Sequence, residues 1–158
     1  MSHKIAFAAL LALSLPAVAR ADDVIPAGAL PPAALVHQLV ADGHDLRRLD
    51  YERGRYEARI RTAQGRLVKV AVDPRTGRLY APQASWDKDG KDGGPAVAVT
   101  AVEAIVAAAG EGHYDVRELE FRDGRYRVTA ADDAGIPARV EVDAADGRVA
   151  SVVHFRDR

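Results

Sequence analysis

Residues 34–79 and 104–149 are two copies of one pattern, aligned at a constant offset of 70 without a gap. Leu49 falls on Leu119, Gly54-Arg55-Tyr56 on Gly124-Arg125-Tyr126, and Gly65 on Gly135. Val70-x-Val72-Asp73 falls on Val140-x-Val142-Asp143, and Gly77-Arg78 on Gly147-Arg148. A repeat of this length means that whatever unit one copy folds into, the other folds into it too. Residues shared by both copies therefore need a structural explanation before a chemical one.

The first twenty-one residues stand outside the repeat and read as an export signal. His3 and Lys4 give a short positive start, Ile5 to Leu15 an apolar run, and Ala19-Arg20-Ala21 a small-x-small cleavage pattern. The run is too short to span a bilayer and no later stretch qualifies, so no stable membrane insertion is expected after cleavage. Without Lys4 and Arg20 the chain carries 20 basic and 23 acidic residues, a formal charge of −3. With no long basic tract, nucleic acid is not an expected partner. There is no cysteine, so an exported domain of this size must hold itself together by hydrophobic packing rather than disulfides. That favours two repeats sharing a core. The oligomeric state is not legible.

Within each copy the hydrophobic period changes from 3.6 to 2 residues. After a lead over 22–30, Pro31-Pro32 opens a helix with Leu35, Val36, Leu39 and Val40 on one face, and Gly43 ends it. In the second copy Thr100 and Glu103 have the spacing of a capping box, and Val102, Ile105, Val106 and Ala109 form the apolar stripe. Alternation follows: Leu49 and Tyr51; Tyr56, Ala58 and Ile60; Val68, Val70 and Val72, with Leu79 opening a short fourth segment. The second copy gives Leu119 and Phe121, Tyr126 and Val128, then Ala138, Val140 and Val142. Charged residues such as Glu57, Arg59, Arg61, Lys69, Arg127, Arg139 and Glu141 intervene. One buried face, one wet face and turns too short for a crossover helix predict antiparallel meanders. The expected fold class is α+β: two tandem helix–β–β–β repeats over 31–81 and 100–155, each meander packed on one helix. A polar linker over 82–99 separates them. The tail from Val149 to Phe155 alternates weakly and is placed against a sheet edge.

This α-β-β-β unit, with its alanine-rich helix, aromatic-flanked hairpin and closing Val-x-Val-Asp segment, resembles the PepSY domain. The residues that carry the resemblance are Val70 to Leu79 and their repeat Val140 to Val149, with Gly54-Arg55-Tyr56-Glu57-Ala58 and Gly124-Arg125-Tyr126-Arg127-Val128 upstream. The resemblance implies an extracytoplasmic, non-catalytic module. The family occurs in propeptides of secreted metallopeptidases and is proposed to inhibit or modulate peptidases. It brings no catalytic motif. The linker with Trp86 departs from the pattern.

Candidate sites are sparse. Asp87 and Asp89 fit the first calcium-loop positions, but Lys91, Asp92 and Ala98 break the EF-hand pattern. Serines and threonines form no nucleophile elbow, and Asp73, Asp143, Gly77 and Gly147 are explained by turns. Tyr56 and Tyr126 are expected to bury their rings and bring their hydroxyls to the rim. His44 and His113 follow the two helices and approach each other if the repeats pack about a two-fold axis, the one candidate for a weak metal site. Trp86, the only tryptophan, is either a plug between the repeats or an anchor for a partner, with Tyr80, Asp87 and Asp89 beside it. An exposed sheet edge accepting an extended peptide is the other route to recognition.

No enzyme activity and no cofactor are expected. The expected function is a periplasmic or secreted peptide- or protein-binding module, with an envelope peptidase or another extracytoplasmic protein as partner. An envelope sensor of a metal ion or small ligand, or a purely structural envelope protein, are the alternatives.

Overall fold

The computed structural model describes residues 25–80 and 96–155. Helix α1 spans Pro32–Ala41 and is followed by strands β1 Asp45–Glu52, β2 Arg55–Arg61 and β3 Leu67–Val72. Helix α2, Ala101–Gly110, is followed by β4 Asp115–Arg122, β5 Arg125–Ala131, β6 Pro137–Asp143 and β7 Val149–His154. Each repeat is therefore a helix and a three-stranded meander, as the change of period predicts. Thr100 caps α2 with the reciprocal bonds of a capping box: its hydroxyl accepts from the Glu103 amide and the Glu103 carboxylate accepts from the Thr100 amide at 2.6 Å. The start of α1 has only Pro31 and no side-chain cap.

The two meanders join into one seven-stranded antiparallel sheet in the order β3-β2-β1-β4-β5-β6-β7. The seam is the β1–β4 pair, and its register places Leu49 opposite Leu119. Those two leucines are repeat equivalents, so a pseudo-two-fold axis passes through their pair. Both helices lie on one face: α1 packs on β1 and β4, α2 on β5, β6 and β1, and the helices touch each other. Each helix thus covers strands of both repeats. The core beneath them unites Leu35, Val36, Leu39, Leu49, Tyr56 and Val72 with Ala104, Ile105, Leu119, Tyr126, Val128 and Val142, all buried. Two helices of ten residues, marginal alone, are held by this common core.

The turns follow the repeat as well. Arg53-Gly54 and Asp123-Gly124 each have positive φ at both residues, the signature of a two-residue turn whose twist matches its strands. Asp73 Oδ1 accepts from the amides of Arg75 and Thr76 at 2.8 Å, and Asp143 Oδ1 from that of Ala145 at 2.8 Å. The recurring aspartates are turn residues. Tyr56 and Tyr126 bury their rings, and the Tyr56 hydroxyl donates to the Leu30 carbonyl at 3.0 Å. Leu30 also donates its amide to Pro74 at 2.7 Å, so the end of the lead is tied to the first repeat.

The repeats part company after the third strand. In the second copy Val149–His154 forms β7 beside β6, the edge pairing expected of the tail. In the first, the contact among the described residues is one bridge, Val72 to Leu79, with the Tyr80 amide donating to Ala71 at 2.9 Å.

Candidate functional site

A sheet closed on one face by helices offers three surfaces to a partner: its open face and its two edges. The open face is a grid of charges. A basin of about 160 Å³ on it is lined by Arg48, Asp50, Glu52, Glu57, Arg59 and Lys69. Its charges are consumed by one another. Arg48 pairs with Asp50 at 2.8 Å and reaches Glu118 and Glu120 across the seam at 3.4 and 3.8 Å. Glu57, on the expected wet face, is nearly buried beneath Lys69 and Arg55, which pair with it. Burial pushes its carboxyl up, but the bond and charge of Lys69, and those of Arg55, outweigh burial and leave it below its ordinary pKa. For Asp50 and Glu118 burial wins over the attraction of Arg48, and both are raised. The basin is an internally satisfied ion network, not a receptor for one charge.

The edges differ from each other. Antiparallel pairs alternate between residues whose backbone groups face the neighbour and residues whose groups face away. The Thr62 amide donates to Arg66 at 2.8 Å, and the β2–β3 register from there turns the backbone of Leu67, Lys69 and Ala71 outward. Ala71 is already taken by Tyr80, and Lys69 places a charge on what remains. Such charges and short caps are how sheets protect an edge.

β7 has less of this protection. The Phe155 amide donates to Pro137 at 3.0 Å, so Phe155, Val153 and Ser151 face β6, while Val152 and His154 present N–H and C=O outward. The strand, Val-Ala-Ser-Val-Val-His, contains no lysine, arginine, acid or proline. Val153 is 53 % exposed on the open-face side, flanked by exposed Phe155 and Ile136. Arg139 lies 5.5 Å from the Phe155 ring centroid. A bulge between Glu141 and Val142 is the only device of edge protection within the β6–β7 pair. The edge can accept an extended segment through backbone bonds, with Val153 and Phe155 as its apolar flank.

The residues singled out in the sequence are distributed as follows. Trp86, Asp87 and Asp89 lie outside the described residues. Tyr80 is half exposed and its hydroxyl donates to Asp73 Oδ2 at 2.7 Å. That bond, with the Thr76 and Arg75 amides, holds the Asp73 carboxyl down at about 2. His44 and His113 are not brought together. The two-fold axis makes β1 and β4 antiparallel about Leu49 and Leu119, so the residues preceding the two strands sit at opposite ends of the seam. Among the described residues no group of three or more His, Asp or Glu could hold a metal ion, and no helix is long and apolar enough to cross a membrane.

Besides Glu57, two buried polar residues escaped the sequence pattern. Arg47 is 2 % exposed, pairs with Asp45 at 2.8 Å and lies 4.4 Å from the Phe121 ring centroid. It occupies the extra position of a bulge between Leu46 and Arg48. The equivalent Arg117 fills the same bulge in β4 and is exposed. His113 is 3 % exposed. Nothing in local periodicity distinguishes Arg47 from Arg117, because the difference arises from the partner each meets across the seam.

Residues 3–83 match a family model described as peptidase propeptide and YPEB domain, PepSY_2. No curated protein matches the chain significantly. A solved structure from Clostridium difficile 630 is 15 % identical with a TM-score of 0.46, covering 85 % of this chain and 99 % of its own.

Proposed function

The chain belongs to the peptidase propeptide and YPEB domain family, and from that membership we propose that it is an exported, non-catalytic module that binds and modulates an extracytoplasmic peptidase. Recognition runs along β7, which takes an extended segment of the peptidase, or of the peptidase's substrate, as an eighth strand. The observation that carries this reading is the contrast between the edges: β3 is capped by Tyr80 and carries Lys69, whereas β7 leaves the backbone of Val152 and His154 outward on an uncharged strand. Export rests on the leader-like residues 1–21.

Val152→Pro removes one outward N–H and leaves the amides of Ser151, Val153 and Phe155 toward β6 in place. Ala150→Lys adds a charge at an exposed position of the same strand. Purified residues 22–158 are added to an envelope extract of the producing organism, and digestion of labelled casein is followed. The wild-type protein is expected to change the rate in a saturable way, and both variants, each verified as folded by its melting curve, to need roughly tenfold more protein for the same effect. A rate unaffected by the wild-type protein, or altered equally by all three, would overturn the reading.

A further inference from the structure

On the helix-covered face, the row of side chains running from β4 to β7 is Val116, Ala130, Ala138 and His154, each opposite the next in register. Its two central members are fully buried alanines. Beside this row, in the turn that joins α2 to β4, is His113. Its amide donates to the Ala108 carbonyl at 3.1 Å, which fixes the turn against the helix end. The imidazoles of His113 and His154 meet with ring centroids 5.4 Å apart and planes inclined at 56°. His113 is almost wholly buried, and its Nδ1 has no hydrogen-bond partner among the described residues. His154, at the end of the β7 edge, is exposed.

We propose that His113 and His154 form a two-histidine site for a divalent transition-metal ion of the zinc, nickel or copper class. Two imidazoles on one tetrahedral ion, with metal–nitrogen bonds of about 2.0–2.1 Å, hold their ring centroids roughly 5–5.5 Å apart. The observed separation falls in that range. A buried imidazole nitrogen without a partner is costly, and coordination satisfies the pair in a way that a second neutral ring does not. Neither histidine is repeated: Gly43 stands at the position of His113 in the first copy, and His154 lies beyond the second. The fold as such therefore does not require them. No third His, Asp or Glu joins them among the described residues, so water completes the coordination sphere. An ion held there ties the end of β7 to the turn after α2, and so stiffens the last strand of the sheet. The site stands on its own geometry and does not depend on the peptidase reading.

The test is calorimetric titration of residues 22–158 with Zn²⁺, Ni²⁺ and Cu²⁺ separately, beside the variants His154→Ala and His44→Ala. His154 is exposed, so its removal leaves the core intact, and the metal-free melting temperatures verify that. The expected result is saturable binding of one ion, with a melting temperature that rises with metal concentration by linkage. Affinity falls roughly tenfold or more in His154→Ala and stays at the wild-type value in His44→Ala. Absence of saturable binding for all three ions, binding indifferent to His154→Ala, or binding weakened by His44→Ala would overturn the assignment.

Discussion

Arg47 and Arg117 occupy the same repeat position, the same bulge and the same sequence distance from an aspartate, yet only Arg47 is buried. The physical difference is the neighbour: Arg47 lies against the ring of Phe121 across the seam and is closed over by the core. Losing a buried charge partner and its packing is expensive. Arg47→Ala is therefore expected to destabilise the protein by about 2–3 kcal/mol, and Arg117→Ala by less than about 0.5 kcal/mol, in paired urea unfolding curves. Equal effects would contradict the asymmetry. Asp73 supplies a second residue-scale expectation. Its folded pKa lies near 2, below the usual value of 3.8, because Tyr80 and two amides bond the carboxylate. A depressed carboxyl contributes stability above its unfolded pKa and loses it as the pH falls through the folded value. The contribution is thus complete above about pH 4–5 and lost on the way down to pH 2. In Tyr80→Phe the Asp73 carboxyl resonance should titrate at a higher pH, closer to an ordinary aspartate.

At the scale of elements, the two helices are held differently. α2 begins with a reciprocal Thr100–Glu103 cap, and the bonds from Thr100 to the Glu103 carboxylate also lower its pKa. α1 begins on prolines and has no side-chain cap. Thr100→Ala is expected to cost about 1 kcal/mol in chemical denaturation, because it frees helix-end amides that the side chain satisfied. No change would mean that the box adds nothing to packing. The cap was legible because its signal is local, as were the change of period at each helix end and the turns marked by Gly54, Asp73 and their repeats. The expected partnership of His44 and His113 was not of this kind. It depended on the direction in which the repeats pair, and antiparallel β1 and β4 put the two histidines at opposite ends. His113 meets His154 instead, a residue forty-one positions further on, and no spacing rule connects those two.

At the scale of the molecule, the repeat dictates two similar halves but not how they join. Burying the apolar sides of both meanders under two short helices is achieved by one sheet, with Leu49 facing its own equivalent Leu119 at the centre. That join occupies β1 and β4 and leaves β3 and β7 as edges. The repeat then differs where function is proposed: among the described residues the first copy has one bridge, Val72 to Leu79, where the second has the strand β7. The wet face, by contrast, neutralises its own charges, and even Glu57, which alternation assigned to solvent, is covered by Lys69. The central claim is that the outer side of β7 is where a partner pairs. Amide hydrogen exchange, measured without and with the peptidase purified from the envelope extract by following the casein response, tests it most directly. The account predicts that Val152 and His154 exchange rapidly in the free protein and become protected on binding, while Val153 and Phe155, already bonded to β6, change little. Protection of Val152 and His154 before any partner is added, or binding that leaves both exchanging as before, would contradict it.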